Sequence, residues 1–295
     1  MAGRFAQGDR AWGSAKRSGG GPARRVATRP LSRHPVRTGP PRPDSRVATL
    51  ISCQPQLDSD AACLWCQRQG PRSARQHGMG GHRAGEVAAR IAVETICQVF
   101  DGERATDDWP FGFDPTTSPS GNLLRTAVHT ANLQVLERAS SDDEYAGMGT
   151  TVVAAVIAGG RLSVAHVGDS RLYLFASGAL RHVTRDDSWM ASVLAQDPAA
   201  DPAVFRHHPM RYALTNVVGR RTPPVVHIFE TTLPGESWLA LTTDGVHGTL
   251  GNGRIEKVFG AGSAKDIATK LVSEALAQGS RDNCTAVVAG YEPEA

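Results

Sequence analysis

Three carboxylates stand at turns flanked by glycine or small residues: Asp169 in HVGDSRLY, Asp244 in LTTDGVHG and Asp282 in GSRDNCTA. A small neighbour lets the backbone approach closely. Carboxylates presented from turns are donors that hard divalent cations take, Mg²⁺ and Mn²⁺ completing an octahedral oxygen shell with waters. Backbone carbonyls can join such a shell, and the Gly78-Met79-Gly80-Gly81 loop ahead of a helical segment offers one; its N–H groups can equally face an anion. A lone aspartate of this kind reads as an Asx-turn or a cap, so the weight lies in the combination. Other constellations are poorer. Ser170 has His166 and Asp169 nearby, but no GxSxG elbow surrounds it and adjacent strand residues point apart. Cys63-Leu-Trp-Cys66 has no second CxxC and no histidine pair at finger spacing. Trp189, Trp238, Met190 and Met210 read as packing residues.

Elements of two periods must position these turns. Arg83 to Phe100 places Val87, Ala88, Ile91, Ala92, Ile96 and Val99 on one helical stripe. Pro119 to Ser140 repeats the pattern through Leu124, Val128, Ala131 and Val135, with Ser120 as the expected N-cap. From Thr150 the texture turns to β: TTVVAAVI, a Gly159-Gly160 turn, RLSVAHV, then Gly168-Asp169-Ser170 and RLYLFA, read as successive hairpins. VVHIFE (225–230), WLALTT (238–243) and CTAVVAG (284–290) extend the set, with a helix over 264–278. Helices first, then strands with helices between them, predict an α+β fold with antiparallel sheets rather than a βαβ dinucleotide fold.

The 295 residues carry 32 Lys and Arg against 29 Asp and Glu, unevenly distributed. Residues 1 to 76 hold 14 bases and only Asp9, Asp44, Asp58 and Asp60, a net of +10, while the rest of the chain is at −7. The first fifty residues are dense in Arg, Pro, Gly and Ser with few large apolar side chains, a composition that predicts disorder. No aromatic interleaving suggests nucleic-acid binding there. No run reaches the roughly 18 apolar residues of a spanning helix, and no export signal is read at the start, so a cytoplasmic protein is expected. Five scattered cysteines predict reduced thiols.

Six segments in order, GMGGHRAGEVAA (78–89), GMGTTVVAAVI (147–157), LSVAHVGDSRLYLF (162–175), GALRHVTRDDS (178–188), LALTTDGV (239–246) and GSRDNCTAVV (279–288), closely resemble the metal-dependent protein serine/threonine phosphatases, the type 2C or PPM-type family in its bacterial form. The resemblance implies a four-layer αββα sandwich of two antiparallel sheets flanked by helices. It implies a site for two Mn²⁺ or Mg²⁺ ions, and for an additional, weaker third. Asp244 and Asp282 would ligate one metal, the Gly78 carbonyl the other, and Asp169 the additional ion. A metal-held hydroxide would attack phosphoserine or phosphothreonine, so no protein nucleophile is needed. The implied partners are proteins phosphorylated by a serine/threonine kinase, met by a monomer without nucleic acid or a membrane span. The segment around His207-His208 corresponds to the family's variable flap beside the site.

The resemblance is good from Gly78 onward and poor before it. Where the family has an aspartate that bridges both metals, this chain has His77, which can bind one ion through one nitrogen but cannot bridge two. Asp58-Ser59-Asp60-Ala61 resembles a remnant of an upstream motif, with Asp60 as candidate ligand, and no arginine stands just before it to grip phosphate. The chain therefore divides into an Arg/Pro/Gly-rich tract (1–50), a degenerate or frame-shifted N-terminal part of the phosphatase domain (51–76) and the phosphatase domain proper (77–291). The second functional reading is an inactive phosphatase-fold module that binds phosphoproteins or regulators.

Overall fold

The computed structural model describes residues 46–53, 61–66, 74–75, 81–100, 109–205, 207–260 and 262–293, with side chains from residue 84 onward. Ten strands build two five-stranded sheets. The first, sheet A, runs β1 (Arg46–Cys53), β10 (Thr285–Glu292), β9 (Ser237–Thr242), β6 (Arg171–Ala176) and β7 (Ala179–His182). The second, sheet B, runs β3 (Ala74–Arg75), β2 (Ala61–Cys66), β4 (Val152–Ala158), β5 (Arg161–Val167) and β8 (His227–Thr232). All pairings are antiparallel except β2 with β4, which run parallel. β1 begins inside the Arg-rich tract and pairs with β10 from Arg46↔Glu292 to Cys53↔Thr285.

Helices α1 (Gly81–Phe100) and α2 (Pro119–Ser141) accompany sheet B; α4 (Asp244–His247), α5 (Asn252–Val258) and α6 (Ala264–Ala277) accompany sheet A. Alternation along the strands sorts the side chains into three apolar layers. Val152, Ala154, Val156, Ala165 and Val167 meet the helical stripe of Ala88, Ala92, Ile96, Leu124 and Val128. Val153, Ala155, Ile157, Leu162 and Val164 meet Leu172, Leu239, Leu241 and Val287 between the sheets. Tyr173, Ala240, Ala286 and Val288 face Ile255, Ile267 and Leu271. Both faces of β4 are covered, so VVAAVIA reads as an unbroken apolar run. The expected four-layer αββα sandwich is what the chain forms.

Two expectations need correction. The N-cap of α2 is Ser118, not Ser120: Pro119 occupies the first helical turn, where its missing N–H costs nothing, and the Ser118 side chain accepts from the Gly121 N–H at 3.1 Å. Gly168-Asp169-Ser170 is not a hairpin turn. β5 belongs to sheet B and β6 to sheet A, so the segment carries the chain from one sheet to the other. Gly168 takes a φ of +99°, and a Cβ there would stand 2.5 Å from the Thr151 side chain, so only glycine fits the crossing.

Candidate functional site

Asp244 follows β9 directly and opens α4. The next residue seats it: a Cβ on Gly245 would lie 2.1 Å from the Asn283 carbonyl oxygen and 3.3 Å from the Asp282 carbonyl carbon, so the 282–283 backbone rests directly on Gly245. Hydrogen bonds stitch the two turns together. Thr243 Oγ1 donates to the Asn283 carbonyl at 3.2 Å and accepts from the Thr285 N–H at 3.1 Å, while Ser280 Oγ donates to the Gly245 carbonyl at 2.8 Å. Asp244 and Asp282 are thus brought to one end of the sandwich by a single packed unit.

Asp169 arrives from the sheet crossing. Its neighbours are held on both sides: Thr151 Oγ1 lies 2.8 Å from Ser170 Oγ, and the Gly168 N–H donates to Asp187 Oδ2 at 2.9 Å. Burial, then the charges of Asp244 and Asp186, push the Asp169 carboxyl up to about 7, against the opposing pull of its own backbone N–H and of Arg171. The field of Asp244 reaching Asp169 places these two carboxylates in one site. A bound divalent cation removes the repulsion between them, and the donor set is hard oxygen throughout, which fits Mg²⁺ or Mn²⁺. Among the described residues, no three His, Cys, Asp or Glu side chains close around one point. Asp60, His77 and Gly78 lie outside the described residues, as does the side chain of the Cys63-Cys66 pair in β2.

Beneath this end, on the helix side of sheet A, Arg171 makes a forked pair with Asp186, Nε to Oδ1 at 2.8 Å and Nη2 to Oδ2 at 2.6 Å. Its Nη1 donates to Tyr173 Oη at 3.2 Å. Burial and the Arg171 charge lower His182 to about 4, and burial holds His247, whose Nδ1 lies 2.9 Å from Thr242 Oγ1, well below the usual imidazole range. These imidazoles are neutral, so Arg171 and Asp186 are the charged pair of that layer. Ser170, bonded to Thr151 and buried, is no nucleophile.

On the other side of the crossing, the cross-strand pair His166↔His227 stacks its rings with centroids 4.8 Å apart. The insertion between β7 and β8 carries α3 (Trp189–Gln196) and a short 3₁₀ turn, and Trp189 stacks on His208 at 4.1 Å and meets Phe205 edge-on at 5.7 Å. Met210 departs from the packing expectation: it is 50% exposed, on a part of the insertion that presents Tyr212 and Val204 to solvent as well. Sequence reading passed over Asp186, Asp187, Asn216 and His227. The adjacent carboxylates of TRDDS were the available signal for the first two; nothing local marks the others.

The sequence profile described as protein phosphatase 2C matches residues 54–278. This chain belongs to the protein phosphatase 2C family. The match begins upstream of Gly78 and so takes in part of the segment where the motifs are poor. The serine/threonine protein phosphatase PstP of Mycobacterium tuberculosis is 31% identical over 216 residues, 72% of this chain and 38% of that protein's length. The serine/threonine phosphatase stp of Listeria welshimeri is 29% identical over 212 residues, 72% of this chain and 81% of its own. The crystal structure of the PstP catalytic domain in complex with two manganese ions superposes with a TM-score of 0.64 at 25% identity, covering 84% of this chain and 98% of that one. The two-sheet sandwich with flanking helices is therefore the family's fold.

Proposed function

We propose that this protein is an Mn²⁺/Mg²⁺-dependent protein serine/threonine phosphatase. The observation that carries this is the convergence of Asp169 and the stitched Asp244–Asp282 unit on one end of the sandwich, in a family whose PstP relative binds two manganese ions. Asp244 and Asp282 would hold one ion, Asp169 an additional one, and the Gly78 carbonyl, Asp60 and His77 the other side of the pair. When bound, such ions acidify water and neutralise charge on phosphoryl oxygens. The chain's own contribution is placement. The Thr243, Ser280 and Thr285 bonds keep two carboxylates on a common footing, and the Gly168 crossing presents the third. Arg171 is committed to Asp186 and so is not the phosphate grip; that grip stays unassigned. The substrates are proteins phosphorylated by a serine/threonine kinase, met by a monomer in the cytoplasm.

The test is phosphate release from a phosphothreonine peptide with and without Mn²⁺. The full chain releases phosphate only with Mn²⁺; Asp244→Ala lowers the rate at least about a hundredfold, a direct ligand mattering more than the partners that orient ligands; His77→Asp raises it, adding the negative charge that two cations share. Silence of the full chain with activity in His77→Asp would mean a sound scaffold lacking one donor. Silence in all three overturns the enzyme reading in favour of a phosphoprotein-binding module.

A further inference from the structure

Asp187 occupies the junction of three segments that are far apart in sequence. Its side chain is 13% exposed. One oxygen, Oδ2, accepts from the Gly168 N–H at 2.9 Å and from Asn216 Nδ2 at 2.7 Å; the other, Oδ1, lies 2.9 Å from His227 Nε2. Its backbone adds two more ties, the N–H donating to the Gly168 carbonyl at 3.0 Å and the carbonyl accepting from the Thr215 N–H at 2.8 Å. Asn216 extends the junction by closing the end of the insertion between β7 and β8: Nδ2 donates to the Val225 carbonyl at 2.8 Å and Oδ1 accepts from the Val225 N–H at 3.1 Å. The insertion thus starts at Asp187 and returns to Asp187 through Asn216.

The other end of this junction is the sheet crossing. Gly168 precedes Asp169, and the crossing has little freedom to adjust on its own. Thr151 fills the space where a Gly168 side chain would go and also holds Ser170. A displacement of Asp187 is therefore passed to the Asp169 backbone rather than absorbed. We propose that Asp187 and Asn216 are positioning residues that couple the insertion between β7 and β8 to the placement of the Asp169 carboxylate, so that whatever engages the insertion alters metal binding at Asp169. This rests on the metal-dependent reading above. It assigns the insertion a second task beside contacting a substrate: it reports its own state to the metal centre.

The prediction is direct. Asp187→Asn and Asn216→Ala each weaken the weakest class of bound Mn²⁺ on the order of tenfold, the usual effect of losing a group that orients a ligand. The readout is free Mn²⁺ by electron paramagnetic resonance, beside hydrolysis of p-nitrophenyl phosphate. In an Asp169→Ala background the same substitutions leave the remaining Mn²⁺ isotherm unmoved, because the ligand through which they act is gone. A merely structural role would lower the melting temperature and shift no isotherm. Unchanged Mn²⁺ binding in folded variants, or weakening of full size that persists with Asp169→Ala, overturns the proposal. If Asp187→Asn fails to fold, Asn216→Ala decides alone, since it keeps the Asp187–Gly168 bond. Mn²⁺ binding without hydrolysis by the unsubstituted chain sinks the phosphatase reading and leaves this coupling standing; no Mn²⁺ binding sinks both.

Discussion

Glu230 carries a carboxylate on the α2 side of sheet B with only 9% of its side chain exposed. Burial alone would push its carboxyl up. Donation from the Ser118 and Ser163 hydroxyls, the Ser118 N–H and Arg161 outweighs burial and holds it at about 2. A group whose folded-state pKa is depressed stabilises above its unfolded value, here 4.5, and loses that contribution as pH falls towards 2. Glu230→Gln therefore costs about 2 kcal/mol at pH 7, in the range for hydrogen bonds to a charged group. Denaturant titrations at pH 7 and pH 3 check it: the gap between the two proteins narrows at the lower pH. Asp169, Asp244 and Asp282 were legible in the sequence because a metal-seeking carboxylate needs a turn, and turns are written in adjacent residues. Asp187 was not legible as a junction. Its partners Gly168, Asn216 and His227 stand 19, 29 and 40 positions away, and only folding brings them to it.

The packed contact between α4 and the turn before β10 does more than a helix of four residues could do by itself. Gly245 is irreplaceable there, since any Cβ meets backbone rather than a movable side chain. Gly245→Ala costs about 3 kcal/mol, at the upper end for overpacking, and separates Asp244 from Asp282. Thermal melting should show the loss of stability, and Mn²⁺ titration a weakened site even at temperatures where the variant is folded. Local patterning marked α1, α2, α6 and six of the strands, because each has a strong period or an unbroken apolar run. The sheet crossing at Gly168 was read as a hairpin for a physical reason: glycine, aspartate and serine favour a turn, and which sheet the following strand joins is decided by the apolar layer its inward residues enter. Leu172 and Leu174 pack between the sheets while Tyr173 faces Ile255 and Ile267, and that choice has no local signature.

Across the whole molecule, charge and architecture divide near the same place. The strongly basic tract ends where β1 begins, at Arg46, and β1 covers the edge of β10 along eight residue pairs. Deleting residues 1–53 therefore destabilises the sandwich more than deleting 1–45 and leaves a bare strand edge prone to pair with other copies. Comparing the two deletions by melting temperature and by light scattering on warming checks this; equal behaviour would mean that β1 contributes nothing. The pairing has one more consequence, for the order in which the chain can assemble. Arg46 finds its partner at Glu292, and β2 waits for β4 some ninety residues downstream. Long-range pairings of this kind close slowly, and a chain emerging from the ribosome would have its first strand in hand for the whole of synthesis with nothing to dock it on. The half-made protein must keep β1 and β2 unpaired until the last strand is released, so loss of even a few C-terminal residues would leave both ends of the molecule without a place.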